Sequence, residues 1–308
     1  MSDSSVLLSV KDLHVGFPVY GGVFRHKVAE VRAVDGVSFD LHEGETLGLV
    51  GESGSGKTTV GRAIINLLRA LSPDVSLRGE VHFRANGSSI QLNGLSRGAM
   101  KPLRSQIQMI FQDPYSSLNP RMTVRAIIDR SLRLHTTLDR AGRRQRVNEV
   151  LDRVGLQAEA AGRYPHEFSG GQRQRIGIAR ALATRPKLII ADEPVSALDV
   201  SVQAQVINLM EELQEDYGLT YVFIAHDLSV VYHISDSIAV MYLGNFVEIG
   251  PAEEVYKNPQ HPYTRALISS VPQPDPRGDP SRRMRLAGDI PTPLTKPSGC
   301  PFLSHVHI

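Results

Sequence analysis

The residues Gly51-Glu52-Ser53-Gly54-Ser55-Gly56-Lys57-Thr58 constrain this chain more than any other stretch. An apolar run from Glu45 to Val50 feeds directly into them, and Thr58 to Leu71 follows with apolar residues at helical spacing (Val60, Ala63, Ile64, Leu67, Leu68 and Leu71) until Ser72-Pro73. Strand, glycine loop and helix in that order form a P-loop. Its backbone N–H groups and helix N-terminus cradle phosphates where larger side chains would block the approach. Lys57 is placed to reach β- and γ-phosphates and Thr58 to bind Mg²⁺. A chance match in a chain of this length has a probability of about 1%.

The rest of the chain fits an α/β architecture. Val6 to Val15 and Val34 to Leu41 read as strands, and Leu188 to Ala191 and Thr220 to Ala225 as buried strands flanking a helix at about Val202 to Tyr217. That rhythm is the βαβ signature of a parallel sheet. Between Pro114 and about Tyr164 apolar residues fall at helical spacing among many arginines, which predicts a helical insertion. The arginines (121, 125, 130, 133, 140, 143, 144, 146 and 153) are interleaved with Asp129, Asp139, Glu149 and Asp152, so they are read as a solvated helical face. Beyond Gly250 recurring prolines predict an irregular extension. The expected divisions are 1–113, 114–165, 166–250 and 251–308.

A formal charge of +2 over 308 residues gives no electrostatic case for nucleic acid. No apolar run reaches the roughly 18 to 20 residues of a membrane span. The polar first residues do not resemble a secretory leader, and one cysteine, Cys300, allows no disulfide framework, so a reducing cytoplasm is expected.

Two carboxylates, Asp192 and Glu193, end the apolar run Leu188-Ile189-Ile190-Ala191. Ligands of α/β sheets bind at such strand ends. Beside a P-loop, Asp192 is expected to hold Mg²⁺ and Glu193 to orient and deprotonate the attacking water. Taken alone, an acidic pair there is more often only a strand end.

Phe168-Ser169-Gly170-Gly171-Gln172 then carries a resemblance to the ATP-binding-cassette superfamily, whose signature is a serine-glycine-glycine-glutamine opening a helix. The resemblance implies a P-loop NTPase cassette with a RecA-like parallel sheet core, an antiparallel β subdomain and a helical subdomain. It implies ATP and Mg²⁺ as ligands, with Gly51, Ser53, Gly54, Ser55, Gly56, Lys57, Thr58 and Thr59 on the phosphates and Thr58, Gln112 and Asp192 on the metal. Gln112 in Phe111-Gln112-Asp113 matches the glutamine that also reports to the membrane partner. Ser196-Ala197-Leu198-Asp199 matches the loop crossing the dimer interface, and His226 the switch histidine on the γ-phosphate. Phe17 lies where the family has an aromatic residue stacking on adenine, with Tyr20 close enough to compete. Glu193, His226, Gln112 and Lys57 are the implied catalytic residues, and Ser169, Gly170, Gly171, Gln172 and Asp199 would contact nucleotide across a head-to-tail dimer.

Three stretches narrow the resemblance to the oligopeptide, dipeptide and nickel importer group: Phe111 to Pro120 (FQDPYSSLNP), His261 to Leu267 (HPYTRAL), and Gly288-Asp289-Ile290-Pro291 leading to Ser298-Gly299-Cys300-Pro301-Phe302. The Tyr-Ser-Ser form of the first looks like the second of two paired ATPase subunits. The implied partners are a similar ATPase subunit, two membrane permease subunits and, indirectly, an external substrate-binding protein, with this chain peripheral at the cytoplasmic face of the inner membrane. The group's second tail cysteine is missing here, and one cysteine cannot hold a four-cysteine cluster, so no iron–sulfur cluster is expected. His305 and His307 are read as solvated. Nickel and glutathione stay open as alternative cargoes, and a soluble phosphonate-metabolism cassette as an alternative class. Only 112 residues lie between Gly56 and Ser169, too few for the long coiled coil of the DNA-repair relatives.

Overall fold

The computed structural model describes residues 5–21, 26–270 and 302. In chain order its elements are β1 (Val6–Gly21), β2 (His26–His42), β3 (Thr46–Val50), α1 (Lys57–Ile64), α2 (Leu68–Leu71), β4 (Ser76–Ala85), β5 (Ser88–Gln91), α3 (Arg97–Met100) and β6 (Ile107–Ile110). There follow α4 (Pro114–Ser117), α5 (Val124–His135), α6 (Arg140–Arg153), α7 (Gly170–Leu182), β7 (Leu188–Asp192), α8 (Val200–Tyr217), β8 (Thr220–Ile224), α9 (Leu228–Ile234), β9 (Ser237–Tyr242), β10 (Asn245–Pro251), α10 (Ala252–Lys257) and α11 (Pro262–Ser270).

Two sheets result. One is antiparallel, in the order β2-β1-β4-β5; the other runs β10-β9-β3-β8-β7-β6, parallel except where β10 pairs with β9. Every residue of β3, β7 and β8 is buried, as parallel strands covered on both faces must be. Side chains alternate between faces. Leu188, Ile190, Val222 and Ile224 enter a core shared with the antiparallel sheet and α1, whereas Ile189, Ala191, Tyr221 and Phe223 enter one shared with the helical lobe.

That lobe, α4 to α7, lies between β6 and β7 in the chain. In α5 the buried residues Val124, Ile127, Ile128 and Leu132 form one apolar stripe, and Thr123 caps the helix by accepting the Ala126 N–H. Asp139 caps α6 on Gly142 in the same way. Most of the lobe's arginines face solvent or acidic neighbours, such as Arg143 Nε on Asp129 at 2.7 Å. Arg146 departs from that expectation. It is 5% exposed and donates to the Leu182 and Ala183 carbonyls at 3.0 and 3.1 Å, so α6 caps the C-terminus of α7 with a buried cation.

Three other expectations are corrected. The single helix from Thr58 to Leu71 is two, because Asn66 takes a left-handed φ of 51° and donates from Nδ2 to the carbonyls of Leu92 and Leu95. Asn tolerates that conformation better than most residues, and the side-chain bonds hold it there. The strand expected at Val34 starts instead at His26. The extension past Gly250 is not irregular where it is described: Pro262 is the first residue of α11, a position where its missing N–H costs nothing. Cys300, His305 and His307 lie outside the described residues.

Gly48 in β3 lets α9 pack closely, since a Cβ there would meet Val231 Cγ1 at 2.0 Å and Ser235 Oγ at 2.5 Å. Gly48→Ala is therefore expected to lower the unfolding free energy by about 1–3 kcal/mol, the usual cost of overpacking, as read by urea denaturation.

Candidate functional site

Parallel pairing brings the C-terminal ends of four neighbouring strands together, in the spatial order β3, β8, β7, β6. At or just beyond these ends come the P-loop, His226, the Asp192-Glu193 pair and Gln112.

The P-loop is pinned from both sides. A Cβ on Gly51 would lie 2.1 Å from the Met241 carbonyl oxygen of β9, and one on Gly56 would lie 2.1 Å from that of Ala33 in β2. Both glycines also have positive φ, 150° and 111°, so L-residues are excluded twice over. Ser53 and Gly54 form the exposed crest, Ser55 is buried, and the Ser55 carbonyl accepts the Gly244 N–H at 2.8 Å. α1 starts at Lys57 with Gly56 as its N-cap and no side-chain cap, which leaves the first-turn N–H groups, Thr58 and Thr59 included, suited to an anion. Lys57 is 4% exposed and donates to the carbonyls of Gly51 (2.7 Å) and Glu52 (2.8 Å). Burial lowers its pKa, opposed by the nearby charges of Glu193 and Asp192.

Asp192 is 1% exposed, and its Oδ1 accepts the Thr58 hydroxyl at 2.7 Å. Burial raises its pKa against the lowering by that hydrogen bond and by Arg62. A hydroxyl and a carboxylate meeting at a strand end give an all-oxygen donor pair, which fits a hard cation such as Mg²⁺.

Glu193 follows with a left-handed φ of 47°, a conformation costly for a non-glycine residue, and its N–H is tied to the Ile224 carbonyl at 2.9 Å. The turn aims the carboxylate at its neighbours. Gln112 Nε2 donates to Glu193 Oε2 at 2.7 Å, and His226 Nδ1 lies 3.8 Å from the same oxygen. Lys57, Thr58, Asp192, Glu193, Gln112 and His226 thus form one cluster. Its chemistry is that of anion and cation binding beside a carboxylate placed to act as a base.

Ser169, Gly170, Gly171, Gln172 and Asp199 stand apart. Ser169 caps α7 in a reciprocal box: its Oγ accepts the Gln172 N–H at 3.3 Å, and Gln172 Oε1 accepts the Ser169 N–H at 3.1 Å. Asp199 caps α8 through Val202 at 2.9 Å. Among the described residues no hydrogen bond or ion pair joins either segment to the P-loop, and both Ser169 and Asp199 are exposed. Gly171 packs against α8, where a Cβ would meet Val202 Cγ1 at 2.5 Å. Phe17, in β1, is half-buried against the core, while Tyr20 is 43% exposed and donates to Asp74 at 3.1 Å.

Sequence reasoning missed one participant. The Tyr263 hydroxyl of α11 accepts the P-loop Glu52 N–H at 2.9 Å. The contact spans 211 residues, and no local signal announces it.

Known proteins resemble this chain in sequence and in fold. The chain matches the family described as ABC transporter over residues 34–196, and the family described as oligopeptide/dipeptide transporter, C-terminal region, over residues 247–305. It is 53% identical over 303 residues to the oligopeptide transport ATP-binding protein AppF of Bacillus subtilis, covering 98% of this chain and 89% of that one. Identity to OppF of Escherichia coli is 53% over 301 residues, with 96% and 87% covered. The glutathione import ATP-binding protein GsiA of Salmonella paratyphi A is 53% identical over 290 residues, which cover 94% of this chain and 45% of that protein. Among solved structures, a dimeric post-hydrolysis form of the cassette MJ0796 bound to ADP and Pi superposes with a TM-score of 0.67 at 27% identity, covering 80% and 99% of the two chains. CbiO1 of Clostridium perfringens gives 0.66 at 26%, covering 82% and 91%.

A raised Asp192 pKa means that the folded state holds this proton more readily than the unfolded state. Ionised Asp192 therefore subtracts stability increasingly as pH rises through the two pKa values. Asp192→Asn keeps an acceptor for Thr58 and removes that charge. The nucleotide-free variant is expected to melt higher than the parent at pH 7, with the gain shrinking toward pH 4 in thermal scans.

Proposed function

Because this chain belongs to the ABC transporter family and is an ATP-hydrolysing cassette, we propose that it powers the import of small peptides by closing as a dimer on a membrane permease. The observation that carries the reading is the convergence of the P-loop, Asp192, Glu193, Gln112 and His226 at adjacent strand ends in a chain whose C-terminal region matches the oligopeptide/dipeptide type.

Each residue takes a role that its position supports. The P-loop N–H groups and Lys57 bind the β- and γ-phosphates, and Phe17 stacks on adenine. Thr58, Asp192 and Gln112 hold Mg²⁺, which when bound neutralises charge on the phosphates. Glu193 orients the attacking water and accepts its proton, and His226 contacts the γ-phosphate. The exposed N-terminus of α7, Ser169 to Gln172, serves the nucleotide held by a second, similar ATPase subunit arranged head to tail, and Asp199 crosses between the two. Each site is then half-built in one chain and completed on closure, when added donors stabilise charge at the transferred group. Gln112 and the segment after it lie between nucleotide and permease, so closure is passed to the membrane partner. The chain works peripherally at the cytoplasmic face of the membrane, against two permease subunits fed by an external binding protein. Glutathione is the second cargo, favoured by the likeness to GsiA.

Mg²⁺-dependent ATPase turnover, alone and then assembled with permease and second ATPase in a membrane, tests the reading. Strong activation on assembly together with peptide delivery is expected; equal turnover in both states would point to a soluble cassette. Glu193→Gln is expected to lose roughly 10²–10⁴-fold in turnover while still binding ATP, and parental turnover would remove Glu193 from the base role.

A further inference from the structure

The extension beyond β10 touches the nucleotide loop at one peptide. The Gly51 carbonyl and the Glu52 N–H belong to the same planar unit and point in opposite directions. The carbonyl accepts from Lys57 Nζ at 2.7 Å, and the N–H donates to the Tyr263 hydroxyl at 2.9 Å. That peptide is therefore held between the P-loop lysine on one side and a tyrosine of α11 on the other. Rotation of the plane would release both bonds together.

Tyr263 is itself fixed. It is fully buried, and burial pushes its phenol pKa up, so the hydroxyl stays protonated and neutral. Its ring lies 4.6 Å from Tyr242 at the end of β9 and 5.7 Å from Phe302. Phe302 is 2% exposed and also meets Tyr242 edge-on at 5.5 Å and His261 at 5.4 Å. The start of α11 is anchored separately, because the N–H groups of Gln260 and His261 donate to the Glu248 carboxylate of β10 at 2.7 and 3.0 Å. The residue before Tyr242, Met241, supplies the carbonyl against which Gly51 packs. The first two residues of the loop are thus seated on β9 and α11 jointly.

Core packing alone would need only the ring. The hydroxyl is different, because it is spent on a backbone N–H of the phosphate loop, in the peptide whose other end holds Lys57. We propose that Tyr263, seated by Phe302, is a positioning residue for the P-loop: the C-terminal extension sets the affinity for ATP by fixing the Gly51–Glu52 peptide and, through it, Lys57. The inference rests on the ATP-binding reading of that loop. By linkage, nucleotide binding and burial of the Phe302 ring favour each other.

The test compares Tyr263→Phe, Phe302→Ala and Phe302→Leu with the parent in the full chain, reading ATP affinity by fluorescent-nucleotide competition, KM and kcat for ATP, and thermal stability. Losing one hydrogen bond shifts the equilibrium between the competent and the rotated loop about fivefold toward the rotated form. Apparent Kd and KM for ATP then rise by up to that factor, with kcat unchanged at saturation. Tyr263→Phe is expected to show that split with its melting temperature lowered by no more than about 2–4 °C, since ring packing is kept. Phe302→Ala should raise KM in the same direction, and Phe302→Leu should recover most of the loss by refilling the apolar site. A parental KM in Tyr263→Phe, or a loss confined to kcat and melting temperature, would overturn the positioning role. A parental KM in Phe302→Ala would overturn the seating. A parent chain that binds no ATP would instead fail the reading of the loop itself, and the inference with it.

Discussion

The hydrogen bond from the Thr58 hydroxyl to Asp192 joins the first turn of α1 to the last residue of β7 across 134 residues of sequence. At 1% exposure desolvation favours the protonated form of this carboxyl, and the Thr58 hydrogen bond opposes that effect. The bond also sets distances elsewhere. With β7 pinned to the P-loop helix, the strained turn at Glu193 projects its carboxylate toward Gln112 and His226, which follow the two strands flanking β7. The parallel register of the buried sheet supplies the frame, and this one contact aligns the chemistry on it.

The parts legible in the sequence were those with local physical causes. Glycines in a phosphate loop, acidic residues ending an apolar run and a serine with a glutamine three residues later each announce their geometry through short-range sterics or capping. Other parts depend on partners far away in the chain. The break at Asn66 is imposed by carbonyls at Leu92 and Leu95, and Arg146 reads as one more surface arginine until α7 is seen to end against it. Glu193 gives no hint in the sequence of its left-handed backbone, which is set by the bond to Ile224. Tyr263 belongs to the same class, a residue whose role exists only once the fold has closed.

Among the described residues of one chain, those proposed to serve nucleotide fall into two groups that do not meet. The P-loop cluster gathers at strand ends, while the N-terminus of α7 and the capped start of α8 are exposed and rigidly built. Capping satisfies Ser169 and Gln172 through each other, so the α7 terminus keeps its shape without help from the P-loop. A surface prepared in advance loses little conformational freedom when it binds, which favours assembly of the full site from two chains over folding of one site around its ligand.

The cap that Arg146 places on α7 has a mechanical consequence. At about 1.5 Å per residue the 13-residue helix is roughly 20 Å long. Its C-terminal end is clamped to α6 by a buried cation, and its other end carries Ser169. The helix is then a lever whose pivot lies at the clamp. A tilt of about 10° there would swing the serine through ~3.5 Å, several times the displacement that breaks a hydrogen bond.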